Sequence, residues 1–231
     1  MSKPWMENYA KRIVKICHAR GAYGMGGMSA FTPGKTPEIR EAQTQKVFQD
    51  KQNEFNSGHD GCWVSHPYFI TYALKAFPKE NQLDVKLDNF DKYSDLIPNS
   101  KGDKTLTGLR TNLRVGIAYL QGWNNGIGCV SWDNLMEDLA TLEISRAQVW
   151  QWMNNIVLLK EGMKVDKALI QKIFDEELEK IIEEIKENMK NASSDDLQKT
   201  INEFTKAKAD AFTLFTKTEL PDFITLDSEI A

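Results

Sequence analysis

The sequence is poor in cysteine, and its few cysteines show no pairing pattern. Cys17, Cys62 and Cys129 are the three cysteines among 231 residues. An odd, low count without metal-like spacing argues against a disulfide framework and fits a reducing compartment.

Long apolar runs and an excess of positive charge are also missing. No apolar run is long enough to cross a bilayer, and the first residues lack the apolar core of a signal peptide. The net charge is −4, which gives no electrostatic reason to expect a nucleic-acid partner. We therefore expect a soluble intracellular protein that binds neither nucleic acid nor membrane. Residues 229–231 are not the peroxisomal Ser-Lys-Leu signal, and the prediction leaves the cytoplasm and the peroxisome open.

Strand-like and helical segments alternate in the first hundred residues. The glycines within residues 22–31 argue against a helix and predict a short buried strand, and residues 61–65 predict a second strand. Helix starts at Pro4 and at Thr36-Pro37 precede these strands. The alternation predicts parallel strands that are joined by helical crossovers. The helix after Thr36 is so polar that we expect it on the surface.

The second half of the chain predicts helices only. A polar connection from 81 to 103 marks a domain boundary. Apolar periodicity then predicts helices over about 109–124, 135–154, 165–190 and 195–216. Acidic pairs such as Glu176-Glu177 are expected to be solvated faces of these helices.

Residues 58–67 contain the first group that could carry chemistry. Two histidines and an aspartate, His59, Asp60 and His66, surround the second predicted strand and suggest a metal site. Their spacing matches no recognised ligand pattern. A turn with mutual hydrogen bonds between His59 and Asp60, and a satisfied His66 at the strand end, is the better interpretation.

The glycine-rich segment from 24 to 28 is a second candidate. Glycines in a strand allow close approach of a ligand or of another backbone, and Met25 and Met28 supply an adaptable apolar wall. Core packing is the simpler explanation. The glycine spacing is not a dinucleotide-binding fingerprint.

The third candidate is the run from 126 to 138, in which a glycine-rich turn leads to adjacent carboxylates at Glu137 and Asp138. Carboxylates at a predicted helix start interact favourably with the helix dipole, which is a structural role. This structural role is the default for at least one of the two, but a carboxylate held there near a cleft could also act as a general base. Composition alone leaves both roles open.

Four ordered blocks of the sequence together resemble malate synthases. The first, at 20–33, is similar to the Gly-Gly-Met strand of that family, and the second, at 58–67, to the strand that follows. The third covers 109–116. The fourth covers 126–151 and includes Leu-Met-Glu-Asp and Glu-Ile-Ser-Arg-Ala-Gln. Four blocks in order are far more specific than any single motif.

The resemblance implies a fold and a reaction. Residues 1–102 would be terminal strand-helix units of a (β/α)8 TIM barrel, and residues 103–231 an all-helical C-terminal plug, so the fold class is α/β plus α and mostly helical. The reaction would be the malate synthase acyl transfer of the glyoxylate cycle, which condenses acetyl-CoA, glyoxylate and water to malate and CoA with Mg²⁺ as cofactor. The active site would lie at the C-terminal face of the barrel.

The resemblance also implies roles for individual residues. Asp138 matches the base that takes a proton from the acetyl methyl group, while Glu137 is structural or a hydrogen-bond partner. Three residues match positions that line the glyoxylate and acetyl-pantetheine site: Met28, Trp63 and Cys129. Ser65 and Pro67 match positions where the strand end approaches CoA.

The family's Mg²⁺ ligands and its enolate-stabilising arginine have no counterpart in the sequence. We therefore expect an incomplete chain that needs an N-terminal malate synthase half or a full-length enzyme as partner. A non-catalytic remnant that binds CoA or a partner is the alternative. A related acyl-CoA lyase or condensing barrel is a weaker third possibility.

Overall fold

A computed structural model describes residues 4–86 and 102–224. The chain divides into two compact units. The first spans Met1–Lys101 together with Asp133–Met136, and the second spans Gly102–Trp132 together with Glu137–Ala231. Most of the predicted polar connection from 81 to 103 lies outside the described residues.

The first unit contains the predicted alternation of helices and strands. Its elements are α1 (Pro4–His18), β1 (Met25–Ser29), α2 (Pro37–Asn56), β2 (Gly61–Val64), a 3₁₀ turn (Pro67–Phe69) and α3 (Ile70–Ala76). The strands β1 and β2 are parallel, which confirms the predicted crossover arrangement. The Thr36 side chain caps α2 by accepting the backbone N–H of Ile39, with Pro37 in the first turn, as the sequence predicts.

The pairing of β1 with β2 contains an irregular step. Met25 lies opposite Gly61, but Met28 lies opposite Trp63, so three positions along β1 correspond to two along β2. A step of this kind is a β-bulge or a similar irregularity, and an extra residue in one strand bends that strand and re-aims the side chains that follow it. The prediction that β1 is buried is wrong in part, since Met25 and Met28 are exposed while Ser29 is buried.

The helix α2 corrects the expectation that polarity places it on the surface. One face of α2 is buried although it is largely polar, and this face carries Gln43, Thr44, Val47, Lys51 and Glu54. Burial is tolerated because these polar groups are hydrogen-bonded. Thr44 donates to the Arg40 carbonyl at 2.8 Å, and Gln43 donates to the Asn134 carbonyl at 2.9 Å.

The second unit is mainly helical, but the prediction of an all-helical domain is wrong. Its elements are α4 (Leu106–Asn124), β3 (Val130–Trp132), β4 (Leu135–Glu137), α5 (Leu139–Asn154), α6 (Lys167–Asn188) and α7 (Ser194–Phe215), with part of β4 assigned to the first unit. The helix predicted from 135 begins only at Leu139, because β3 and β4 form a hairpin. Asp133 and Asn134 have φ values of 47° and 63°, as a type I′ hairpin turn requires.

The helix α4 lies at the centre of the second unit's core. Its apolar positions Leu109, Leu113, Ile117 and Leu120 are almost fully buried, as their helical spacing predicts. The expectation that Glu176-Glu177 forms a solvated face fails for Glu177, which is only 3% exposed. Its carboxylate instead accepts from Arg110 of α4 at 2.7 Å. Among the described helices, none combines the length and the apolar character that a membrane crossing demands.

Candidate functional site

Met28 and Trp63, two predicted site residues, lie opposite each other in the first unit. They are register partners in β1 and β2. Partners in neighbouring strands present their side chains to the same face of the sheet. Met28 is 37% exposed and Trp63 is 62% exposed, so this face of the first unit carries two accessible apolar side chains.

The segment after β2 is fastened to the segment after β1. The backbone N–H of Ser65 donates to the Ser29 carbonyl at 3.1 Å, and the Ser65 hydroxyl donates to the Phe31 carbonyl. Pro67 then opens the 3₁₀ turn, which His66 caps by accepting the backbone N–H of Tyr68 at 3.1 Å. Ser65 and Pro67 therefore have fixed positions directly beyond the carboxyl end of β2.

A carboxylate approaches the double glycine of β1 closely. Glu54 Oε1 accepts the backbone N–H of Gly27 at 3.0 Å, and Lys51 Nζ donates to the Gly27 carbonyl at 2.8 Å. A Cβ atom at Gly26 would lie 2.3 Å from Glu54 Oε2. The sequence predicted close approach by a ligand or a backbone, whereas the structure places a buried side chain there.

His59 and Asp60 lie just before β2 and bond the backbone at the beginning of β1. The predicted hydrogen bonds between these two residues do not form. Asp60 Oδ2 accepts the backbone N–H of Gly24 at 2.7 Å and the His18 Nε2 at 2.9 Å, while Oδ1 accepts the Gln82 N–H at 2.6 Å. The His59 Nδ1 lies 3.2 Å from the Gly24 carbonyl. These hydrogen bonds fix the position of the backbone at the entrance to β1, which is a structural role.

The environment shifts the pKa values of both His59 and Asp60. Burial lowers the pKa of His59. Burial alone would raise the pKa of Asp60, but the hydrogen bonds from Gln82, His18 and Gly24 outweigh it, so the net pKa is lowered. Within residues 4–86 and 102–224, no group of three or more His, Cys, Asp or Glu side chains is arranged to hold a metal ion.

Asp138 in the second unit is the N-cap of α5. Its Oδ1 accepts the backbone N–H of Thr141 at 3.2 Å, and the Thr141 hydroxyl completes a capping box with the Asp138 backbone N–H. The side chain is partly buried. Its Oδ2 has no hydrogen-bond or ion-pair partner among the described residues. One oxygen is thus anchored and the other is available.

Tyr119 of α4 is a group near Asp138 that the sequence analysis missed. Its side chain is fully buried, and its hydroxyl donates to the Gly128 carbonyl at 3.1 Å. Burial raises the pKa of Tyr119, with smaller contributions from the negative charge of Asp138 and from Cys129. The available signal in the sequence was a tyrosine within the uncharged, largely apolar stretch 115–120 of a predicted helix.

The tyrosine anchors the loop that carries Cys129. Gly128 and Cys129 lie between α4 and β3, and Cys129 is exposed. Close packing of β3 on α4 depends on Gly122, because a Cβ there would lie 2.4 Å from Val130 Cγ1. Glu137, by contrast, is buried at the end of β4 with 8% exposure. Its role as a structural residue or a hydrogen-bond partner stays a prediction.

The predicted site residues therefore fall into two groups. Met28, Trp63, Ser65 and Pro67 lie together in the first unit at the ends of parallel strands. Asp138 lies in the second unit, where its charge and Cys129 both act on Tyr119.

Comparisons with protein families define the class of this chain. Residues 1–96 match the family model "Malate synthase, TIM barrel domain", and residues 103–229 match "Malate synthase, C-terminal". The chain therefore belongs to the malate synthase family, which confirms the resemblance seen in the sequence.

Curated relatives agree with this assignment. Malate synthase A of Escherichia coli is 37% identical over 98% of this chain, and the match covers 42% of the relative. Malate synthase of Dictyostelium discoideum is 41% identical over 78% of the chain and 36% of the relative. The "Bifunctional glyoxylate cycle protein" of Caenorhabditis elegans is 39% identical over 78% of the chain and 19% of the relative. The chain thus spans at most about two fifths of the length of these relatives.

Proposed function

We propose that this chain carries the catalytic base of a malate synthase-type acyltransferase of the glyoxylate cycle. The substrates are acetyl-CoA, glyoxylate and water, and the products are malate and CoA. One observation supports this proposal most directly. Asp138 is oriented through Oδ1 by the α5 cap, while its Oδ2 has no partner among the described residues.

The proposed step begins with proton transfer to Asp138. The carboxylate Oδ2 takes a proton from the methyl carbon of the acetyl thioester. The resulting enolate carbon forms a bond to the aldehyde carbon of glyoxylate while the aldehyde C=O π bond breaks, and the alkoxide that this leaves takes up one proton, which balances the proton given to Asp138. Water then cleaves the thioester, which releases malate and CoA. A base that is already oriented lowers the entropic cost of the first step.

The family implies Mg²⁺ as cofactor. When the ion is bound, it would stabilise the negative charge that develops on oxygen during the reaction. The described residues offer no group of three or more His, Cys, Asp or Glu side chains that could hold a metal ion. These residues therefore do not fit a metal site.

We assign residues 1–102 to terminal strand-helix units of the barrel and residues 103–231 to the plug that carries Asp138. In this proposal Met28, Trp63 and Cys129 contact glyoxylate and the acetyl-pantetheine arm, and Ser65 and Pro67 contact CoA. The exposure of Met28, Trp63 and Cys129 supports a binding role, because each side chain is accessible to a ligand.

Catalysis by the complete site then requires an N-terminal malate synthase half or a full-length enzyme as partner. The experiment mixes the purified chain with the part of a malate synthase that the chain does not match, and measures malate by mass spectrometry and CoA release with a thiol reagent. We expect malate from the mixture and none from the chain alone. Turnover by the chain alone would contradict the need for a partner, and a folded, associated mixture without turnover would contradict the enzymatic function.

A non-catalytic subunit that binds CoA or a partner is the second candidate. The accessible Met28 and Trp63 on one face of the first unit favour it, since exposed apolar side chains that adjoin are common in binding surfaces. Saturable binding of acetyl-CoA to the chain without turnover in any mixture would select this candidate.

A further inference from the structure

The irregular step in β1 coincides with an unusual pair of side chains from α2. Gly26 and Gly27 occupy the step between the register pairs Met25–Gly61 and Met28–Trp63. At this step, both backbone polar groups of Gly27 bond side chains of α2. Its N–H donates to Glu54, and its carbonyl accepts from Lys51, at 3.0 and 2.8 Å.

The two side chains are buried and bonded to each other. The Lys51 side chain is 0% exposed and the Glu54 side chain 7%, and Lys51 Nζ lies 3.0 Å from Glu54 Oε2. Lys51 Nζ also lies 3.0 Å from Asp50 Oδ2. The ammonium group therefore has three described partners, and each is an oxygen atom. Two of them belong to the Gly27 carbonyl and to Glu54, which itself accepts the Gly27 N–H.

Stability alone is a poor explanation for this pair. Removing two charges from water is costly, and replacement of a buried ion pair by apolar side chains of similar volume is often neutral or stabilising. Burial raises the pKa of Glu54 even though Lys51 opposes the shift, which is the sign of that cost. What apolar side chains could not supply is the pair of hydrogen bonds to Gly27.

We propose that Lys51 and Glu54 are positioning residues that lock the irregular step of β1, so that Met28 and not Gly27 lies opposite Trp63. The structural part of this proposal stands by itself. Its consequence for catalysis rests on the proposed function, in which Met28 and Trp63 contact substrate.

The physical reason is the two-residue period of a strand. A slip of one residue moves every following side chain to the other face of the sheet. Without the bonds to Gly27, β1 can pair regularly with β2, which places Gly27 opposite Trp63 and turns Met28 away. This lock, which consists of Lys51 and Glu54, therefore decides which residue of β1 lies opposite Trp63.

Cysteine cross-linking can report the register directly. In a background with Cys17, Cys62 and Cys129 replaced by serine, one variant carries Met28→Cys with Trp63→Cys, and the other carries Gly27→Cys with Trp63→Cys. Register partners lie within the range that a disulfide can bridge. A Cβ at Gly27 meets only Glu54 Oε1, at 3.7 Å, so the second variant introduces no clash. With the lock intact, we expect the 28–63 disulfide to form at least tenfold faster than the 27–63 disulfide.

The decisive variant removes the lock with apolar side chains. Lys51→Met combined with Glu54→Leu should reverse the preference between the two cross-links. Glu54→Gln, which keeps an oxygen for the Gly27 N–H, should retain the original preference. The matched control is Gln49→Ala with Asn53→Ala, which removes a 3.1 Å side-chain bond on the exposed face of the same helix. Faster 27–63 cross-linking with the lock intact, or an unchanged preference without it, would overturn the proposal.

Kinetics in the complemented enzyme test the consequence for catalysis. Loss of one apolar contact to substrate changes specificity by about tenfold or more, so the lock-free variant should show a KM raised by about that factor and a smaller change in kcat. The control pair should leave both constants unchanged. If the complemented protein with an intact lock has no turnover, the proposed function fails, while the cross-linking result still decides the lock. Equal losses in kcat for the lock-free and control variants would contradict positioning.

Discussion

His18 Nε2 lies 2.9 Å from Asp60 Oδ2, and the two side chains are only 5% and 4% exposed. The other ring nitrogen, Nδ1, lies 3.1 Å from the Val85 carbonyl. Both ring nitrogens thus lie within hydrogen-bond distance of an oxygen atom. Asp60 thereby connects the end of α1 with the entrance to β1 and with the chain at Gln82.

The lowered pKa of Asp60 predicts acid sensitivity. The folded-state value lies below the ordinary 3.8, so Asp60 contributes stability above about pH 4 and loses it as the pH falls below 3.8. Asp60→Asn removes this titration. Urea unfolding at pH 5 and pH 3 should therefore show a smaller loss of free energy for the variant than for the unaltered protein. Parallel losses in the two proteins would show that Asp60 does not titrate differently on folding.

The double glycine predicts an asymmetry between two neighbouring substitutions. Gly26→Ala places a Cβ 2.3 Å from Glu54 Oε2, and Lys51 holds that oxygen at 3.0 Å, so the carboxylate cannot move freely. Overpacking of this kind costs about 1–3 kcal/mol. Gly27→Ala meets Glu54 only at ordinary contact distance and serves as the control. Thermal unfolding should show a lower Tm for the first variant only, and equal Tm losses would place the close approach elsewhere.

Asp138→Asn tests the proposed role of Asp138 as base separately from its role as helix cap. Asparagine is as good an N-cap as aspartate, so the free energy of unfolding should change little. Turnover in the complemented enzyme should fall by about 10²–10⁴, because general-base catalysis contributes a factor of that size. Glyoxylate affinity should change little. Asp138→Ala is the companion variant, which also loses the cap and about 1 kcal/mol of stability. Near-normal turnover of Asp138→Asn would assign the base to another residue.

Tyr119→Phe tests the anchor of the Cys129 loop. The substitution keeps the ring that stacks on Trp123 with centroids 6.2 Å apart, but removes the hydrogen bond to the Gly128 carbonyl. Loss of one such bond costs about 1 kcal/mol. Hydrogen exchange of a peptide that covers 126–130 should become faster, whereas exchange in α6 should not. Unchanged exchange in 126–130 would mean that the glycine-rich loop is held by other contacts.

The sequence predicted those features that depend on local pattern. The cap at Thr36 and the buried face of α4 follow from residues close together in the chain, and the parallel strands follow from the alternation of strand and helix. The hairpin of β3 and β4 was missed because Asp133-Asn134 adopts positive φ, whereas the apolar residues that follow continue a helical pattern. Local propensity alone could not show that two short segments pair with each other.

The buried charges were missed for a different reason. Lys51, Glu54 and Glu177 look like solvated helix residues until their partners, which lie 24 to 67 positions away in sequence, are known. A polar residue is buried only where distant groups satisfy it. The same limit explains why Tyr119 was not singled out, since its relation to Asp138 arises from folding.

Glu143 and Arg146 fasten the chain that follows α7. Glu143 Oε2 accepts from Arg146 Nε at 2.8 Å, its Oε1 accepts the backbone N–H of Ile224 at 2.8 Å, and Arg146 donates to the Pro221 carbonyl at 3.1 Å. Arg146 is 2% exposed, and its Nη1 has no hydrogen-bond partner among the described residues. The guanidinium therefore depends on Glu143 for its only described counter-charge.

Glu143→Gln should consequently be far more damaging than the loss of an ordinary surface carboxylate. The variant leaves the Arg146 charge buried without a counter-charge, and breaking a buried pair in this way costs roughly 3–5 kcal/mol. Hydrogen exchange of a peptide covering 217–224 should rise most, because the single side-chain oxygen of glutamine cannot accept from both Ile224 and Arg146, and the Pro221 contact loosens. The control is Glu187→Gln, which removes an exposed ion pair with Lys190. The side chains of Glu187 and Lys190 are 69% and 61% exposed, so this variant should leave stability unchanged within error. Comparable Tm values for the two variants would show that the Arg146 charge is solvated in solution, and the segment after α7 would then be held by its apolar contacts alone.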